Sequence, residues 1–215
     1  MAIWLVNPLP LEIPSKLFVA SSNPGKLREY RILASGQPIR IELLPGYEQI
    51  PQFEETAPTF AENAAGKALH YSHFAELPVI SDDSGLVVPA LDGAPGVLSA
   101  RYAGPGASDA DRVHKLLGEM RGKKGEERRA VFVCVLAMAL RGTAVAVFSD
   151  FAKGLLTEEP RGSGGFGYDP IFYFDLLGRT YAETTQEEKN RYSHRGKAFR
   201  KLTEFLAAPG SYVVS

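Results

Sequence analysis

Short apolar runs of strand type alternate along the chain with stretches whose apolar residues recur every three or four positions. Lys16–Ala20 (KLFVA) predicts a strand. In the following Ser21-Ser22-Asn23-Pro24-Gly25-Lys26, Asn23 suits a helix N-cap. Pro24 suits the first helical position, where its missing N–H removes no helical bond. Leu27, Tyr30 and Leu33 then recur at helical spacing, and Gly36 is the stop. A second strand, Ile39–Leu44, runs into the acidic loop Glu48–Glu55. Thr59 and Glu62 form a capping-box pair, and Phe60, Ala64, Ala68, Tyr71 and Ala75 carry a helix to about Leu77. Val79–Ser81 predicts a strand, and Leu86–Ala90 resumes extended chain after Asp82-Asp83-Ser84-Gly85. Ser108–Arg121 predicts a helix boxed by Ser108 and Asp111. Ala130–Leu140 is apolar at nearly every position and Ala144–Phe151 repeats the theme, the pattern of strands covered on both faces. The glycine-dense loop Gly162–Tyr168 precedes a strand at Ile171–Phe174, and Thr185–Tyr192 and Ser193–Leu206 predict two closing helices.

Strands and helices so interleaved give a mixed α/β fold, either as one compact domain or as two lobes around a cleft. Residues 1–15 carry Pro8, Pro10 and Pro14 and predict an irregular extension ahead of a single domain at 16–215. They lack the basic n-region of a signal peptide, and no apolar stretch reaches the roughly 20 residues of a membrane span. With 215 residues, 45% hydrophobic and 23% charged, the chain is large enough to bury a core without metal or disulfide. Lys plus Arg is 24 against 25 Asp plus Glu, so there is no basic excess to favour long nucleic acid. A small anion held by a few local cations remains open. There is one cysteine, Cys134, inside an apolar run, so an intrachain disulfide and paired Cys/His zinc spacing are excluded. The missing signal peptide and membrane span make a reducing cytoplasm the expected compartment.

Four segments carry candidate chemistry. Ser21–Lys26 opens a helix whose free N–H groups suit phosphate, with Lys26 adding a full charge; it lacks the spacing of a Walker A loop, and a plain helix start reads equally well. The adjacent carboxylates Asp82 and Asp83 sit at a strand end before Ser84-Gly85. They need a cation or hydrogen bonds if buried, which suits Mg²⁺ shared with phosphate oxygens; the alternative is a solvated Asx turn. Glu54 and Glu55 are further carboxylates for the same ion. Gly164-Gly165-Phe166-Gly167-Tyr168-Asp169-Pro170 presents Phe166 from a loop whose glycines admit close approach, which suits stacking on a base. Lys189, Arg191, His194, Arg195 and Lys197 are either an anion site or a solvated helix face, and Lys67 adds one more cation beside Asn63.

Together these segments resemble the inosine/xanthosine triphosphate pyrophosphatase family, the HAM1-like enzymes that remove non-canonical purine nucleotides. Ser21–Lys26 with Glu29 is similar to its (S/T)xNxxKxxE signature. Ser81–Leu86, Gly93-Ala94-Pro95-Gly96 and Ser99-Ala100-Arg101-Tyr102 resemble its central block, and GGFGYDP and Ser193-His194-Arg195 its last two. The ordered matches cover about residues 17–207. Pro24 departs from the small or aliphatic residue usual there.

The resemblance implies a long, twisted mixed β-sheet with flanking helices forming two lobes around a central cleft, in a homodimer. It implies hydrolysis of ITP, dITP and XTP to the monophosphate and pyrophosphate with Mg²⁺. Asp83 would be general base and, with Glu55, metal ligand, Glu48 being a rival for the latter role. Ser21, Ser22, Asn23, Pro24, Gly25, Lys26 and Lys67 would hold phosphate, and Ser84 would contact substrate. Phe166, Gly167, Tyr168, Asp169 and Lys189 would hold the nucleoside, and His194 and Arg195 would read the purine edge. Two alternatives differ in kind: a Maf-type pyrophosphatase of other base preference, and a non-catalytic nucleotide-binding regulator, which the paired aspartates disfavour.

Overall fold

The structure, a computed structural model, describes residues 14–208, so most of the expected N-terminal extension and residues 209–215 of the domain lie outside the described residues. Seven strands make one mixed sheet: β1 (Lys16–Val19), β2 (Arg40–Leu43), β3 (Val79–Val87), β4 (Arg129–Leu140), β5 (Thr143–Leu156), β6 (Phe172–Phe174) and β7 (Arg179–Thr180). Their order is β2-β1-β3-β4-β5-β6-β7. β1 runs parallel to β2 and β3; the remaining pairs are antiparallel. The helices are α1 (Pro24–Leu33), α2 (Phe60–Ser72), α3 (Asp109–Glu119), α4 (Gln186–Tyr192) and α5 (His194–Ala207).

Alternation along β4 assigns the layers. Cys134, Leu136 and Met138 point to one face, where Tyr30 of α1 and Phe199 and Leu202 of α5 cover them. Val135, Ala137 and Ala139 point to the other, against Ala64 and Ala68 of α2. At the far end of β3 and β4 a separate core gathers Leu86, Phe132, Phe172 and Tyr181 with Val113 and Leu116 of α3. Ile80 belongs to the first core and Leu86 to this last one. Asp82, Asp83 and Ser84 fall between them, and the break in the apolar packing is where the cleft lies.

Three expectations are corrected. β3 is one nine-residue strand through Asp82-Asp83-Ser84-Gly85, paired residue by residue with β4, where the sequence pattern predicts a strand ending at Ser81 and a solvated turn as the alternative. Asp, Ser and Gly all have poor strand propensity, but long-range pairing overrides it. α2 stops at Ser72, short of Leu77, because Ser72 Oγ donates to the Leu69 carbonyl and accepts the Gly142 N–H from the β4–β5 turn. β5 is not covered on both faces: Val147 and Phe151 are each about half exposed. Among the described residues β5 pairs with β6 only at Leu155 and Leu156, and Lys197 and Lys201 donate to the Phe151 and Ser149 carbonyls along its open edge.

Candidate active site

A strand sends successive side chains to opposite faces, so β3 divides its two aspartates between different neighbours. Asp82 and Ser84 face α1 and α5. Asp82 Oδ2 accepts from Tyr30 Oη at 2.6 Å and Arg195 Nε at 2.7 Å, and its Oδ1 lies 2.7 Å from Lys26 Nζ. Burial pushes the Asp82 carboxyl up, but Arg195 and Lys26 override it and hold the group well below the usual range. Asp83 faces α2 and has no cation in contact. Its Oδ2 is buried without a hydrogen-bond partner. Burial, reinforced by the Glu55 charge and only partly offset by Lys26 and Lys67, raises its carboxyl to about 6.

One end of the cleft is built by the start of α1 and the middle of α2, which carries Lys67. Asn23 caps α1, its Oδ1 accepting from the Gly25 N–H at 2.9 Å and the Lys26 N–H at 3.2 Å, while Ser21 Oγ accepts from the Asn23 N–H. Ser21, Ser22 and Asn23 line the cleft; Pro24, at the first helical position, lines a separate depression beside it. Lys26 and Lys67 both donate to the Asp82 carbonyl, at 3.2 and 3.0 Å, and Lys67 also pairs with Glu55. Of the loop carboxylates, Glu55 lines the cleft, whereas Glu48 lines the depression with Pro24. A Cβ on Gly25 would come within 2.8 Å of the Phe166 ring, so glycine there lets α1 meet the aromatic loop.

The other end is dry. Lys189 of α4 bonds Glu29 Oε1 at 2.6 Å and also Asp169, all three buried. Arg195 of α5 reaches Glu29 Oε2 at 2.6 Å through Nη1 and Ser84 Oγ at 2.7 Å through Nη2. Despite its burial, Glu29 is held at about 2 by Arg195 and Lys189. His194 stacks on Phe132, centroids 4.6 Å apart and planes 5° from parallel, with Nδ1 unpartnered; burial and Arg195 keep the ring neutral. Half-buried Phe166 stands over Lys189 Nζ at 4.9 Å and the Arg195 guanidinium at 5.6 Å. Asp169 Oδ2 accepts the Phe166 N–H, and Tyr168 Oη donates to the Ser99 carbonyl, fixing the loop on both sides.

The cleft is lined by most of the residues expected to bind substrate or metal, Pro24 and Gly25 excepted, while Glu48, Glu54, Arg191 and Lys197 lie outside it. The run Lys189–Lys197 is split: Lys189, His194 and Arg195 are buried, whereas Lys197 sits at the exposed edge of β5. Sequence reasoning gave no role to Glu29, Arg101 and Asp109, which shape the site, and read Asp82 with Asp83 as a metal carboxylate. Glu29 and Asp82 hold its cations. Arg101 Nη2 donates to the Glu55 carbonyl at 2.7 Å, and Asp109 Oδ2 accepts the Gly167 N–H at 2.6 Å. Glu29 stood in the signature and Arg101 in the central block; nothing local marked Asp109.

Chemically, the arrangement offers a proton acceptor of raised basicity between two ammonium groups and a capped helix start. A polar pocket with one aromatic wall adjoins it. The Ham1 family model matches residues 17–205. A dITP/XTP pyrophosphatase of Geobacillus kaustophilus is 48% identical over 88% of this chain and 93% of its own. One of Geobacter sulfurreducens is 44% identical over 91% and 98%. A solved HAM1 protein from Coxiella burnetii superposes with a TM-score of 0.79 at 40% identity, covering 89% of this chain and 98% of that one. Family match, sequence relatives and solved fold coincide over the segment that builds the cleft, and the chain belongs to the Ham1 family.

Proposed function

We propose that this protein is a nucleoside-triphosphate pyrophosphatase that hydrolyses ITP, dITP and XTP to the monophosphate and pyrophosphate. The observation that carries the reading is Asp83: a buried carboxylate with a free oxygen and a pKa of about 6, set between Lys26, Lys67 and Glu55. The named relatives supply the substrate class.

Asp83 and Glu55 fit a divalent ion. Asp83 keeps an unpartnered oxygen, and burial together with the Glu55 charge raises its carboxyl, which a cation there would offset. Among the described residues no three His, Cys, Asp or Glu side chains form a metal cluster, which suits Mg²⁺, a hard ion that takes much of its shell from water and substrate phosphate. When bound there, Mg²⁺ neutralises phosphate charge as a Lewis acid.

The residues themselves do the rest. The α1 start with Lys26, and Lys67, bind the triphosphate and stabilise charge developing on the leaving pyrophosphate. Asp83 takes a proton from the water whose oxygen bonds to the α-phosphorus as the α–β bridging bond breaks. Phe166 stacks on the base. Each terminal nitrogen of Arg195 has a second N–H beyond its bond to Glu29 or Ser84, and with His194 these suit the 6-oxo acceptor of hypoxanthine or xanthine. Adenine presents a donor amine there. We place the enzyme in the cytoplasm as a homodimer acting on free nucleotides, without nucleic-acid or membrane partners; among the described residues no helix is long and apolar enough to cross a membrane.

The test is product analysis with ITP, ATP and a pyrimidine triphosphate, with and without Mg²⁺. Pyrophosphate appears first, and from ITP far faster than from the others. Orthophosphate as first product would refute attack at the α-phosphorus, and a pyrimidine preference would favour a Maf-type specificity.

A further inference from the structure

Beside the expected catalytic carboxylate stands Asp82, which no comparison assigns. Its side chain is fully buried, yet one residue meets three of the cations in the cleft. Oδ1 lies 2.7 Å from Lys26 Nζ, and Oδ2 takes Arg195 Nε at 2.7 Å. Its backbone carbonyl accepts from Lys26 and Lys67. Lys26 belongs to the phosphate end and Arg195 to the base end. Tyr30 Oη, on Oδ2 at 2.6 Å, fixes the carboxylate plane from a third side. The packing leaves no room for a metal role: Asp82 points away from Glu55 and Asp83, and its oxygens face two cations, the Tyr30 phenol and the Cys134 thiol, whose Sγ lies 3.5 Å from Oδ2.

We propose that Asp82 is a positioning residue that aims Lys26 at the triphosphate and Arg195 at the purine, so that one buried charge holds both ends of the substrate site in register. A carboxylate supports this because its two oxygens face separate cations, Oδ1 pairing with Lys26 and Oδ2 accepting from the buried Arg195. Without it, Lys26 keeps only a carbonyl, and Arg195 only Glu29 and Ser84. The inference rests on the pyrophosphatase reading for the ligands, but not for the internal geometry.

The experiment compares wild type, Asp82→Asn and Asp83→Asn in one Mg²⁺ buffer, with inorganic pyrophosphate and IMP as probes of the two ends. In the free protein, the Arg195 Nε–H signal is shifted and protected from exchange in wild type and Asp83→Asn, and loses both properties in Asp82→Asn. By calorimetry, Asp82→Asn weakens pyrophosphate and IMP by about tenfold or more each, the scale of a lost charge-assisted hydrogen bond. Lys26→Ala weakens mainly pyrophosphate, and Arg195→Met mainly IMP.

Survival of the Arg195 signal in Asp82→Asn, or affinities for both probes within about twofold of wild type, overturns the proposal, as does loss of one probe alone. If the signal behaves as expected and wild type binds neither probe, the pyrophosphatase reading fails while Asp82's hold on the cations stands. Asp82→Asn leaves one buried positive charge uncompensated and can fail to fold. The double variant Asp82→Asn/Arg195→Met removes one charge of each sign. Relative to Arg195→Met alone it must still weaken pyrophosphate about tenfold, because Lys26 has lost its carboxylate; equal affinities of the two variants overturn the proposal.

Discussion

The two ends of the cleft use the same residue types under opposite conditions. At the phosphate end the Lys26 and Glu55 side chains keep 14% and 30% of their exposure, and the helix cap is made by a residue two or three positions away. At the base end Glu29, Asp169, Lys189 and Arg195 keep 3% or less, and every ion pair among them except Lys189–Asp169 joins distant parts of the chain. The wet-end cations are also paired, Lys26 with Asp82 and Lys67 with Glu55, but Lys26 and Glu55 stay partly open to a ligand. A charge at the dry end must first be compensated by another, since desolvation of an unpaired ion costs several kcal/mol. The base pocket is therefore structure first and recognition second, and the phosphate pocket the reverse.

The sharpest break in that comparison is Asp83→Asn. The amide keeps the shape but loses the proton acceptor and the charge that attracts Mg²⁺. With general-base and metal contributions each worth about two or more powers of ten, turnover falls about 10⁴-fold while nucleotide binding stays measurable. A variant retaining more than about a tenth of wild-type kcat shows that Asp83 is not the central carboxylate. The fold should not suffer.

Glu29→Gln does the reverse. It leaves Arg195 with Asp82 and Lys189 with Asp169 as their sole acidic partners, and loss of one partner from a buried pair costs about 3–5 kcal/mol. The urea midpoint drops with little change in slope. A drop under about 1 kcal/mol would show that water enters the base end and would erase the distinction between the two ends.

The same contrast explains what was readable in the sequence. Asn23 with Pro24, and Ser108 with Asp111, announce helix starts because a cap is a contact within three residues. The apolar run around Cys134 announces a covered strand for the same local reason. Asp82-Asp83-Ser84-Gly85 reads as a strand end, with a turn as the alternative, because the pairing that carries the strand through it comes from Val133–Leu136, about fifty residues later. The cations from Lys189 to Arg195 read equally as a solvated face, because their partners Glu29 and Asp82 lie more than a hundred residues away. The GGFGYDP loop and the helix-start lysine could be placed in one site only through the family resemblance; spacing alone does not bring them together.

A third prediction tests whether the wet end stores strain for function. The Asp83 carboxyl is raised to about 6 from an ordinary 3.8, so between those values the folded protein binds a proton the unfolded chain has released. Stability contributed by that proton is fully present below about 3.8, falls as pH rises between the two values and is lost above about 6. Removing the charge should therefore stabilise the metal-free protein at neutral pH. The shift bounds the gain at about 3 kcal/mol, and partial solvation brings it to a few degrees in Tm. The difference between Asp83→Asn and wild type should vanish near pH 4 and shrink on adding Mg²⁺. A variant less stable than wild type at pH 8 without metal would mean that Asp83 is satisfied by contacts the geometry does not reveal.

The smallest effect belongs to Glu55. Its carboxylate is nearly a third exposed and pairs with Lys67, a pair whose loss costs under about 1 kcal/mol. Glu55→Gln should therefore leave the urea midpoint almost unmoved. Yet Glu55 is among the charges that keep the Asp83 carboxyl high, and its loss frees Lys67 to turn its full charge toward Asp83. Both changes act in one direction, lowering the Asp83 pKa, which carboxyl NMR of the metal-free protein reads directly. With the second metal carboxylate gone, the Mg²⁺ concentration for half-maximal activity should rise at the same time. The two readouts separate the roles of the residue. A fall in the Asp83 pKa with no change in Mg²⁺ requirement makes Glu55 an electrostatic neighbour only. A raised Mg²⁺ requirement with an unmoved pKa makes it a ligand that Asp83 does not sense. Both together identify Glu55 as the one phosphate-end carboxylate that tunes the base while helping to hold the metal.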